Sequence, residues 1–247
     1  MGVPSELVQE IALQIVSHQD FLNFHCCSKR INAETLVAFG KKISAMTISP
    51  SAGQMVHILN ALCNKKTAVC VKEITLLAEG LREHEYGYVW AWEDLQVWEN
   101  LHFTSDDIDI INRINAEHTN ARDMQSDFIY SGQYRALLFD ILKACPNLKR
   151  INVRKLAPGE QIPGWGGNKL FKQLSFFRDD LDTRNIFYGD WQYDTVHGRV
   201  TQYQDEFGDV ITEPNAGPQS SFMDDFRCAY RDSRCEAKVT VQPIRRR

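Results

Sequence analysis

Histidines and carboxylates are the residues of this chain best equipped for chemistry. His84 and His102 stand among Glu83, Glu85, Glu93, Asp94 and Glu99, and His18 and His25 also lie near carboxylates. Such neighbours can make a general base or a metal site, and the reaction class would be hydrolysis. No spacing of the HExxH kind selects these residues, and no nucleophile elbow is present. Gly164-Trp165-Gly166-Gly167 lacks the lysine and the helix of a phosphate-binding loop and reads as a turn. The seven cysteines (Cys26, Cys27, Cys63, Cys70, Cys145, Cys228, Cys235) are odd in number and irregularly spaced. With no CxxC pair among them, they read as reduced, buried thiols rather than zinc ligands or a disulfide framework. Cys228 and Cys235 could form a ligand pair, but two unrelated thiols fit better. The sequence therefore assigns no catalytic residue, no metal ligand and no cofactor.

Binding is the alternative to catalysis. Tyr86, Tyr88, Trp90, Trp92, Trp98 and Phe103 cluster within a short acidic stretch. They can fill a core or anchor a protein partner. Their acidic company argues against nucleic acid, which needs basic grooves beside stacking rings. The net charge of −4 gives no global field toward nucleic acid or membrane. No apolar run reaches the ~20 residues of a membrane span. The N-terminus carries Glu6 and Glu10 without a basic region, unlike a secretory signal. The expectation is a soluble protein of the cytoplasm and/or nucleus. Arg245, Arg246 and Arg247 read as a solvated tail.

The elements that must carry any interface begin at once. Pro4 leads into Ser5 and Glu6, and Leu7, Val8, Ile11, Ala12, Ile15 and Val16 recur at helical spacing. Asp20 can cap a second helix holding Phe21, Leu22 and Phe24. Asn32 can cap a third through Leu36, Val37 and Phe39, with Gly40 at its end. Three short helices cannot bury so many apolar side chains among themselves. Some must face a partner or the rest of the chain.

Val3-Pro4-Ser5-Glu6-Leu7, Ile11, Ile15, Asp20-Phe21 and Cys27-Ser28-Lys29-Arg30-Ile31-Asn32 together resemble an F-box in order and spacing. Val3, Phe21 and Cys27 stand where Leu, Leu and Val are usual, and His25 and Cys26 depart from the usual apolar or basic types. The resemblance covers residues 3 to about 43. It implies a three-helix module that docks onto the Skp-type adaptor, and through it a cullin, of an SCF ubiquitin ligase. By position, Pro4, Leu7, Ile11, Ile15, Phe21, Cys27 and Lys29 would form or support the adaptor-facing surface.

Beyond the helices, two helix–strand units follow. In the first, Ser51 caps a helix with Met55, Val56, Ile58, Leu59 and Leu62, and Ala68–Leu76 is the strand. In the second, a helix from Tyr134 to Cys145 precedes a strand containing Ile151 and Val153. Residues 90–122 read as an insertion with its own helix. The pattern predicts an α/β layer with parallel strands. Leu142 to Val153 resembles a leucine-rich repeat of the F-box type, and Phe39-Gly40-Lys41, Ile74-Thr75-Leu76 and Gly164-Trp165-Gly166 resemble fungal F-box proteins. Members of that group continue with further repeats, which this sequence does not show. From Phe176 onward the pattern weakens. Trp191–Tyr193, Arg199–Tyr203 and Val210-Ile211 suggest a hairpin or meander, and 213–221 a loop.

The expected organisation is α+β or α/β: an F-box at 1–45, an irregular leucine-rich-repeat-like region at 46–175, and a C-terminal region at 176–247 with a hairpin and a flexible tail. The implied function is a non-catalytic adaptor that binds a Skp-type partner and an unidentified protein target. A scaffold outside ubiquitination and a His/carboxylate hydrolase are the rival readings.

Overall fold

A computed structural model describes residues 3–15, 20–21, 24–25, 27–82, 84, 87–157, 160, 162, 165, 167–178, 181, 183–188, 191–194, 199–202 and 218–242. Helix α1 (Ser5–Gln14) follows Pro4, with Glu6 in its first turn, where a carboxylate favours the helix dipole. Helix α2 (Lys29–Glu34) is capped by Ser28, whose hydroxyl accepts from the Ile31 amide at 3.2 Å. Helix α3 (Leu36–Lys42) comes directly after Thr35. Asn32 was expected to cap the last helix but lies inside α2. The extended backbone at Ser28 starts that helix a turn earlier. Gly40 lies within α3 rather than beyond it. A Cβ there would sit 3.0 Å from the Cys70 Sγ, so the glycine serves close packing.

Strand β1 (Ala45–Ile48), helices α4 (Ala52–Leu62) and α5 (Lys65–Ala68), and strand β2 (Glu73–Leu77) come next. Ser51 is the N-cap residue of α4, but its side chain makes no capping bond. The expected strand from Ala68 begins only at Glu73. The Asn64 carbonyl accepts from the Thr67 and Ala68 amides and winds that stretch into a helical turn. Helices α6 (Val89–Trp98) and α7 (Ser105–Tyr130) fill the expected insertion and run past its expected end. Helix α8 (Gln133–Ala144) then leads into β3 (Arg150–Arg154). Short helices α9 (Gly167–Phe171) and α10 (Arg184–Phe187) precede the antiparallel pair β4 (Trp191–Asp194) and β5 (Arg199–Gln202). That pair is the expected hairpin; Val210 and Ile211 lie outside the described residues. Helix α11 (Pro218–Asp232) and strand β6 (Lys238–Val241) occupy the segment expected to be loop and tail.

Four strands form one parallel sheet in the order β1-β2-β3-β6. Neighbours in space are thus neighbours in chain order, and α4, α8 and α11 pack together on one face of the sheet. Met46, Ile74, Ile151 and Val239 are in register, as are Ile48, Leu76, Val153 and Val241. Both rows pack against Met55 and Leu62 of α4, Leu138 and Ile141 of α8, and Phe222, Met223 and Phe226 of α11. A second core joins the segments that follow β2 and β3, with Trp92, Ile114, Trp165, Phe171 and Phe187 at its centre. Ala12 of α1, Ala38 of α3 and Phe21, which lies between α1 and α2 where the second helix was expected, form a third and much smaller core; Leu22 of that expected helix lies outside the described residues.

The molecule is therefore a mixed fold, rich in helix, around a small parallel sheet. The register-equivalent residues Ala45, Glu73, Arg150 and Lys238 are 28, 77 and 88 residues apart. The unit that ends in α11 and β6 is one the sequence pattern did not show. The 28-residue step is short, and the two longer ones carry the insertions.

Candidate functional site

Helix α1 carries two apolar stripes. Val8 and Ala12, four residues apart, are buried; Ala12 belongs to the small core, and Ile15 packs against it. Leu7 and Ile11, also four apart, face solvent at 55% and 50% exposure, and Val3 before the helix is 52% exposed. Leu7 and Ile11 are one helical turn apart on α1, and Val3 is exposed in the extended segment before it. Large aliphatic side chains thus face water beside the small core.

The surroundings hold that strip in place. Arg30 Nη2 donates to the Val3 carbonyl at 2.7 Å and its Nε to Glu34 at 2.7 Å, tying the segment before α1 to α2. Lys42 Nζ donates to the Ile15 carbonyl at 2.6 Å and lies over the Phe21 ring. His25 is buried and stacks on Phe39, with 4.7 Å between centroids. Thr35 gives its hydroxyl proton to the Ile31 carbonyl, so His25 Nδ1–H donates to Thr35 Oγ1 at 2.6 Å. His25 Nε2 then accepts from Asn32 Nδ2 at 3.0 Å. Burial lowers the pKa of this imidazole below its ordinary value. His25 is a bolt between helices, and its ring nitrogens are both engaged.

The seven residues assigned by position divide into two groups. Pro4, Leu7, Ile11, Cys27 and Lys29 are exposed; Ile15 is half-buried. Phe21 is fully buried at the centre of the small core and supports the surface from beneath. Arg30, Asn32 and Thr35 carry the clamp that orients the strip. Arg30 and Asn32 fall within the Cys-Ser-Lys-Arg stretch, whose order was the signal for them.

The parallel sheet offers a second surface. On the face opposite the helices, Thr47, Thr75, Asn152 and Thr240 form one row, and Ala45, Glu73, Arg150 and Lys238 another. Every one of these residues is exposed or half-buried. Arg150 Nη2 donates to Glu73 Oε2 at 2.5 Å, and Asn152 Nδ2 to Glu73 Oε1 at 2.5 Å. The result is an open polar strip four strands wide, about 15 Å across at the usual strand spacing. It can hydrogen-bond and pair charges, but it holds no buried nucleophile or base. Alternation in β2 and β3 was legible; their neighbours β1 and β6 were not.

His84, one of the histidines near the carboxylates, and His118, which the sequence pattern did not single out, have structural partners. His118 is fully buried; its Nε2–H donates to the Phe187 carbonyl at 2.8 Å, and its Nδ1 accepts from the Tyr88 hydroxyl at 2.7 Å. Burial drives its pKa down to about 4. His84 Nε2–H donates to the Ile186 carbonyl at 2.6 Å. Both rings pin the segment around α10 against α6 and α7. His102 is exposed, and His18 lies outside the described residues. Of the cysteines expected to be buried, Cys145 is, but Cys27 and Cys63 are exposed. Among the described residues no group of three or more His, Cys, Asp or Glu side chains could hold a metal ion. No described helix is long and apolar enough to cross a membrane.

Comparison with known proteins returns no matching family model, no matching curated protein and no matching solved structure.

Proposed function

We propose that this chain is the substrate-recognition adaptor of an SCF-type ubiquitin ligase. Helices α1–α3 act as the F-box, binding a Skp-type adaptor and through it a cullin, and the α/β region binds a protein target. The observation that carries this reading is that Val3, Leu7 and Ile11 are exposed while the described core of the same module, Ala12, Phe21 and Ala38, forms without them. Burying the exposed half of Leu7 and of Ile11 would contribute about 1 kcal/mol each. A sequentially ordered parallel sheet with one open polar face supports the second half of the reading, because leucine-rich-repeat-like proteins recognise targets on such extended surfaces. The chain itself is non-catalytic in this role, and ubiquitin transfer occurs on other subunits.

The test is a pull-down of purified Skp-type adaptor by this chain and by Leu7→Asp/Ile11→Asp. We expect capture by the unsubstituted chain and loss in the double variant, with an unchanged far-UV spectrum. No capture by the unsubstituted chain ends the reading. Once a target is identified, its turnover under cullin inhibition separates ligase function from an adaptor-bound scaffold: turnover that ignores the inhibitor favours the scaffold.

A further inference from the structure

Helix α6 divides the aromatic cluster in two. Trp92 and Leu95 face the second core, and Trp92 Nε1 donates to Asn115 Oδ1 of α7 at 2.9 Å. The opposite side is bare: Trp90 is 72% exposed, Val97 76% and Trp98 71%. At 100° per residue, Trp90, Glu93, Asp94 and Val97 centre on that outer side, with Trp98 at its flank. Exposed large apolar side chains grouped on one face mark interaction surfaces, and tryptophan is enriched among the anchors of protein interfaces.

Charge says what the occupant is. Residues 83–112 contain eight Asp or Glu and no Lys or Arg, in a chain whose net charge is only −4. Glu99 is paired with Arg178 and Asp107 is buried, so the acidic character of the outer face rests on Glu93 and Asp94, which are exposed between the tryptophans. Helix α6 itself carries no basic residue. An anionic lipid surface or a nucleic acid is repelled by this field. A segment with apolar side chains on one side and Lys or Arg around them satisfies both the rings and the carboxylates, and Trp faces attract cations directly.

We infer that the outer face of α6 is the target-docking surface, and that its partner is a cationic amphipathic protein segment. This rests on the proposal that the α/β region recognises a protein target, and it assigns that role to the insertion between β2 and β3.

The experiment titrates the full chain with three fluorescent peptides: a Lys/Leu amphipathic helix, a Glu/Leu counterpart, and a Lys/Ser peptide of equal charge. The Lys/Leu peptide should bind, the Lys/Ser peptide much more weakly, and the Glu/Leu peptide not at all. Trp90→Ala/Trp98→Ala should weaken Lys/Leu binding about tenfold or more, the scale of losing interface anchors. Glu93→Lys/Asp94→Lys should invert the preference toward the Glu/Leu peptide. All substituted residues are exposed, and a retained near-UV spectrum checks the fold. Equal affinity of the tryptophan variant, or no preference for the basic peptide, overturns the inference. So does a dimer of the unsubstituted chain that Trp90→Ala/Trp98→Ala converts to monomer, because the occupant is then a second copy. The two proposals separate cleanly: the tryptophan variant should keep adaptor capture, and Leu7→Asp/Ile11→Asp should keep peptide binding.

Discussion

Phe21, Leu7 and Ile11 stand within the same short motif and do opposite things. Phe21 is fully buried, so Phe21→Ala should destabilise the helical module by about 3–5 kcal/mol, seen as a loss of its denaturation midpoint. Leu7→Ala and Ile11→Ala should leave that midpoint within about 1 kcal/mol, because half of each side chain already faces water. Equal loss at all three positions would falsify the division into core and surface. His118 and Asp107 set the acid limb of stability. Burial holds His118 neutral, with a pKa of about 4 against an ordinary 6.5. Its contribution is complete above pH 6.5 and is lost as pH falls toward 4, roughly 3 kcal/mol in all. Burial pushes the Asp107 carboxyl up, but donors from Ser175 and Thr104, at 2.7–2.9 Å, outweigh it and hold the pKa at about 2. Its roughly 2 kcal/mol is present above pH 3.8 and disappears toward pH 2. Urea midpoints between pH 7 and pH 4.5 should therefore fall in the native chain. They should fall less in His118→Gln, which can keep both the donor to Phe187 and the acceptor for Tyr88.

At the scale of elements, helix ends follow local chemistry that the sequence displays. The Thr104–Asp107 capping box starts α7, and Ser28 starts α2. Gly40 is the exception, because its reason is a neighbour thirty residues away. In an open helix, Gly→Ala stabilises by about 1 kcal/mol. Here the added Cβ meets the Cys70 Sγ at 3.0 Å, which opposes that gain. Gly40→Ala should therefore be more favourable in a Cys70→Ala background than alone, by about 0.5–1 kcal/mol in a double-mutant cycle. Additive effects would show that the contact does not limit α3. Helix α11 was legible in principle: Phe222, Met223, Phe226 and Ala229 repeat at helical spacing and all are buried. Its preceding Pro- and Gly-rich stretch masked that signal. Strand β6 spans only Lys238–Val241, too short for alternation to stand out.

Across the whole molecule, three cores of unequal size imply unequal local stability. Among the described residues, the core of the N-terminal helical module gathers Ala12, Phe21 and Ala38, whereas the sheet core gathers side chains from four strands and several helices. Native-state amide exchange should be faster in α1 and α2 than in β2 and β3, and the adaptor should slow α1 specifically. Matching exchange rates in the helices and the central strands would contradict this partition. The sequence by itself determined the local periods: an amphipathic α1, the helices around Met55 and Leu138, and the alternation of Ile74 with Leu76 and Ile151 with Val153. These are short-range properties that each segment carries whatever its surroundings. Tertiary structure alone decided which apolar residues stay outside. Trp90 and Trp92 are chemically alike and two positions apart, yet one meets Asn115 and Phe187 and the other meets water. Leu7 and Val8 divide in the same way. The reason is physical: burial depends on what another part of the chain brings to each helix face, and that is a non-local property no single segment contains.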